Sequence, residues 1–96
     1  MTTKAMITEA GLSVVADEGI WGLTREAVAE RAGCSPALVS YHMGTMQELL
    51  EHLMQQAVER ENLDIIAMGL VSRHPAALNA PAELKQAAIF TLQATV

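Results

Sequence analysis

Few side chains in this sequence could do covalent or metal chemistry, and none is spaced for it. His42, His52 and His74 do not stand at ligand spacing with one another or with a second donor type. Cys34 is the one cysteine, so it has no internal disulfide partner, and it reads as a small residue packed in a turn. There is no Gly-rich phosphate loop, no nucleophile–base–acid triad and no paired ligand set. Neither an enzyme nor a cofactor or metal is therefore expected. What remains is hydrogen-bonding and aromatic chemistry: Tyr41 and His42 side by side, and Thr24 with Arg25 upstream. Such groups can meet phosphates and base edges. Taken alone they equally fit a plain surface, with Tyr41 and His42 an exposed pair on a short helix and Arg25 and Arg31 on a solvated face.

The elements that must position these groups read as helices throughout. The 96 residues suit one modest core, and their apolar half comes mainly from Ala, Leu, Val and Met, with only three aromatics. A first helix is expected from about Lys4 to Asp17, with Ile7, Ala10, Gly11, Val14 and Val15 forming an apolar stripe. Gly19 then stops it, and Ile20, Trp21 and Leu23 fold back onto the core, Trp21 as a core or hinge residue. Thr24 caps a second helix, Arg25 to Ala32, and Gly33 ends it. Ser35 caps a third, Pro36 to Met43, with proline at its first position. Thr45 and Glu48 form a capping box for a long fourth helix reaching Met68, with Gly69 as its stop. A connector through Arg73-His74-Pro75 leads to a last helix from Pro81 to about Gln93. His52 and His74 are expected at the surface. Two short helices joined by Ala32-Gly33-Cys34-Ser35 constitute a helix-turn-helix pattern.

The surrounding string carries more information than that pattern. Leu23-Thr24-Arg25-Glu26-Ala27-Val28-Ala29, then Ala32-Gly33-Cys34-Ser35-Pro36-Ala37-Leu38-Val39-Ser40-Tyr41-His42-Met43, then Gln47-Glu48-Leu49-Leu50, closely resembles the DNA-binding domain of the TetR family. The resemblance runs without a gap over about residues 4–55. It implies an all-α fold: a three-helix helix-turn-helix domain over residues 1–45, then a helical connector and dimerisation region over 46–96. It also implies that the third helix enters the major groove of double-stranded DNA. Residue by residue, Thr24 matches the cap whose backbone and hydroxyl meet a phosphate, and Arg25 follows it on the DNA side. Pro36, Ala37, Ser40 and Tyr41 match positions facing bases or the groove floor, His42 a backbone contact, and Leu38 an apolar contact such as a thymine methyl. With the caps Ser35 and Thr45, these complete the implied DNA-binding set. Val28, Ala29, Ala32, Val39 and Met43 match core positions.

Three departures qualify the match. Met46 stands where the family usually has a phosphate-gripping lysine, and Met43 where it often has phenylalanine, a swap that a core tolerates. About 40 residues follow the matching segment, fewer than the family's effector-binding domain needs, so induction by a small molecule is not expected. Charge also opposes the DNA reading. The chain carries a net −5, and its first 50 residues set Lys4, Arg25 and Arg31 against six carboxylates, where nucleic-acid binders are commonly basic. The apolar positions of the fourth and last helices exceed what a three-helix headpiece can bury, so a homodimer is expected. With no apolar run of membrane-spanning length and no secretory block at the start, the expected location is cytoplasmic. The function implied is a dimeric repressor on a palindromic operator. The alternative is a protein-interaction module, masking or pairing with another regulator, that kept the fold and lost DNA binding.

Overall fold

A computed structural model describes residues 2–94, with side chains through Gln93. Among these residues the chain is all helical: α1 (Thr3–Glu18), a 3-10 turn (Ile20–Gly22), α2 (Arg25–Ala32), α3 (Pro36–Met43), α4 (Met46–Glu59), α5 (Leu63–Val71), α6 (Pro75–Leu78) and α7 (Ala82–Ala94). Two compact units result, one ending at Leu53 and the other beginning at Met54, with α4 contributing to both.

In the first unit α1 packs on α2, α2 packs on α3, and α1 also touches α3. The apolar stripe of α1 supplies the fully buried Ile7, Val14 and Val15, which meet a core completed by Val28, Ala29, Val39, Met43, Leu49 and Leu53. Thr8 is the one buried polar residue of this core. Its Oγ1 lies 2.9 Å from the Lys4 carbonyl oxygen and 2.9 Å from His52 Nε2. His52, expected at the surface, is instead half-buried and ties α4 to α1.

In the second unit α5 packs against α7 and against α6. Met54, Ala57, Ile65, Ile66, Ala67, Ala77, Ala80 and Ala88 form its core. The expected single helix to Met68 is in fact two. α4 stops at Glu59 because Glu61 turns to the left-handed region, φ 53°. There its N–H donates to the Val58 carbonyl and that of Asn62 to the Ala57 carbonyl, closing the helix end. Asn62 then starts α5, its Oδ1 accepting from the Ile65 N–H at 3.2 Å. The apolar spacing continues across this break, from Ala57 to Ile65 and Ile66, so periodicity alone did not mark it.

Gly69 is likewise no stop. It lies buried inside α5, and a methyl group added there would strike Met54 and come within 2.7 Å of the Ala77 Cβ. The connector contains α6, capped by His74, whose Nδ1 accepts from the Ala76 N–H, so this ring too is half-buried.

A non-glycine residue in the left-handed region costs about 1 kcal/mol. Glu61→Gly should therefore raise stability by about 1 kcal/mol and the melting temperature by about 5 °C, whereas Glu61→Ala should leave both unchanged. Urea titration and thermal melting followed by circular dichroism measure the difference.

Candidate nucleic-acid interface

The bend between α2 and α3 is built from short-range chemistry. Thr24 Oγ1 accepts the Ala27 N–H at 3.0 Å and opens α2, with Glu26 in the first turn facing the positive end of the helix dipole. Gly33 ends α2 at φ 74°, a conformation glycine adopts at no steric cost. Its neighbour Cys34 donates its N–H to the Ala29 carbonyl. Ser35 Oγ then accepts the Leu38 N–H at 3.1 Å, with Pro36 at the first helical position. The capping box at α4 is present in both halves: Glu48 N–H to Thr45 Oγ1 at 3.1 Å, and Thr45 N–H to Glu48 Oε1 at 3.2 Å.

Each cap hydroxyl uses its oxygen to accept from its own helix. The hydroxyl hydrogen is then free to donate outward, which suits a phosphate oxygen.

On α3 the buried residues Val39 and Met43 fall four apart, so the helix is fastened along one line. Pro36, Ala37 and Tyr41 are exposed, Tyr41 at 81%, and Leu38, Ser40 and His42 are half-buried beside them. The Tyr41 and His42 rings meet edge to face, centroids 5.1 Å apart and planes at 88°. Thr24, Ser35 and Thr45 are exposed at the starts of α2, α3 and α4. Arg25 is half-buried, with its Nε out of solvent and unbonded within the protein.

Arg31 belongs to a different set. Its guanidinium bonds Asp17 at 2.6 Å, Ser13 at 2.7 Å and Glu18 at 3.3 Å. The Asp17 hydrogen bond, with the two carboxylate charges, raises its pKa above the ordinary value. Arg31 therefore staples α2 to α1.

The family model for bacterial regulatory proteins of the tetR family matches residues 7–53. Residues 7–53 form the helix-turn-helix domain of the TetR family. This span ends where the first compact unit ends, at Leu53. The TetR family is one of DNA-binding regulators of transcription. No curated protein and no solved structure matches the chain. No helix among the described residues is long and apolar enough to cross a membrane.

One residue of the TetR-type domain departs from its expected place. Trp21 does not fold onto the core but stands 87% exposed on the 3-10 turn, while its neighbours Ile20 and Leu23 are half-buried. The flanking Gly19 and Gly22 were the available signal. Two glycines around a lone tryptophan mark a tight turn that leaves the large side chain outside.

Proposed function

We propose that the protein is a transcriptional repressor that binds a palindromic operator as a homodimer, acting by occluding polymerase and without a cofactor. The observation that carries this is α3, fastened from behind by Val39 and Met43 and presenting Pro36, Ala37 and Tyr41 outward. In this reading residues 1–45 contact DNA. Thr24, Arg25, Ser35 and Thr45 meet the backbone with His42, and Pro36, Ala37, Leu38, Ser40 and Tyr41 meet the groove.

Residues 46–96 connect and dimerise. Of the apolar positions between residues 46 and 68 whose number first argued for a second copy, Leu49, Leu53, Met54, Ala57, Ile65 and Ile66 are covered within the single chain, and Leu50 and Val58 are half-buried. The dimer reading rests instead on what stays exposed in the second unit: Val71, Leu78, Ile89 and Phe90. Two-fold symmetry then sets the recognition helices roughly 34 Å apart, one turn of the duplex.

Selection of bound sites from random duplex DNA tests the whole reading. The expected product is a pair of inverted half-sites. Recovery of no enriched sequence, or monomeric sedimentation at high micromolar concentration, contradicts the operator and the dimer respectively. A second expectation concerns the start of α4. Met46→Lys should tighten binding to selected and random duplexes alike, by about tenfold at low salt, and should steepen the salt dependence by about one counterion. Unchanged affinity would show that Met46 does not lie beside the phosphates.

A further inference from the structure

None of the three aromatic side chains of this protein enters its core: Trp21, Tyr41 and Phe90 are all more than two-thirds exposed. Tryptophan is among the side chains with most to gain from burial, and 87% exposure is unusual for it. Nor is the turn that carries it a loose one. Gly22 N–H donates to the Gly19 carbonyl and Leu23 N–H to the Ile20 carbonyl, both at 3.1 Å. Gly22 passes so close to α1 that an added Cβ would lie 2.6 Å from the Glu18 Cβ. A rigid turn thus holds Trp21 in solvent, three residues before Thr24. Chain geometry keeps the two within about 10 Å.

The charge of the first unit says what a donor there would be for. Of its three cations Arg31 is engaged by Asp17, Glu18 and Ser13, which leaves Lys4 and Arg25 against a surplus of carboxylates. A duplex held by so few cations must be held largely by uncharged donors. The indole Nε1–H is such a donor, accepts nothing in return, and sits on an apolar ring able to cover a sugar.

We propose that Trp21 is a further DNA-contacting residue, extending the interface beyond α2 and α3 through an indole N–H to a phosphate beside the one met by Thr24. This rests on the DNA-binding reading above, and a neutral contact has a distinctive consequence. It releases no counterion, so removing it weakens binding without changing the slope of affinity against salt.

Trp21 is the single tryptophan of the chain, so its emission reports on this position alone. The experiment follows Trp21 fluorescence and the anisotropy of a fluorescein-labelled duplex recovered by selection, in one titration of the full chain, repeated with Trp21→Phe and Trp21→Ala. Exposure predicts that both variants fold with unchanged circular dichroism. The expected result is an emission change that saturates with the anisotropy. Trp21→Phe should bind about tenfold more weakly, the effect of one hydrogen bond to a charged group, Trp21→Ala more weakly still, and all three proteins should share one salt slope. Anisotropy that reports binding while Trp21 emission and the affinities of both variants stay unchanged overturns this inference and leaves the DNA-binding reading standing. An emission change that tracks protein concentration without DNA also overturns it, assigning Trp21 to a contact between copies. Absence of any binding overturns the DNA-binding reading itself.

Discussion

Replacing Tyr41 by alanine should weaken binding to a selected duplex by about 10- to 100-fold, the range for one lost side chain at a base edge or groove wall. Stability should not follow. The ring is 81% exposed, and it meets the ring of His42. α3 is held instead by Val39 and Met43 on its opposite side. A thermal melt within about 2 °C of the parent, as for most surface changes, together with a lost gel shift, would locate the effect in recognition. Tyr41→Phe should retain most of the affinity if the ring fills the groove and should lose it if the hydroxyl bonds a base or phosphate. Full affinity in Tyr41→Ala would remove α3 from the interface.

The largest stability effect is expected at Gly69. The position sits on α5 where Met54 and Ala77 close over it, with 2.7 Å between a would-be Cβ and the Ala77 Cβ. Gly69→Val adds a branched side chain where even one methyl has no room. Overpacking of this kind costs about 3 kcal/mol, which for a chain of this size lowers the melting temperature by about 15 °C. Gly69→Ala should cost less, because alanine's better helix propensity offsets part of the clash. Melting followed by circular dichroism decides the matter, and a Gly69→Val protein that melts with the parent would mean that α5 and α6 are not packed as described.

Local chemistry explains which features could be foreseen. α2 and α3 were legible to the residue because each is bounded by a hydroxyl cap and a glycine, signals written in consecutive positions. The capping box at Thr45 and Glu48 was legible for the same reason. The end of α4 was not. It depends on Glu61 taking a conformation that glycine or asparagine usually supplies, and on Asn62 capping the next helix, while the apolar rhythm continues unbroken across both. Gly69 was misassigned because a glycine that ends a helix and one that admits a neighbour look identical in one dimension. Trp21 was misplaced by its hydrophobicity, which says nothing about whether a tight turn can bring it inward. Among the candidate site residues, family resemblance supplied the roles and the outward face of α3, and the caps follow from local residue types. The burial of Arg25 Nε depends on tertiary packing that no local pattern encodes.

The link between Thr8 and His52 has a consequence for the tautomer of the ring. The hydroxyl hydrogen of Thr8 is directed at the Lys4 carbonyl, so the ring must supply a hydrogen of its own across the gap. Of the two neutral imidazole tautomers, only the one bearing Nε2–H can do this. The seam between the first and fourth helices is thus closed by a ring N–H given to a hydroxyl oxygen, and it fixes which ring nitrogen carries the hydrogen. His52→Gln can preserve it through an amide N–H, whereas His52→Met leaves the oxygen of Thr8 without that donor.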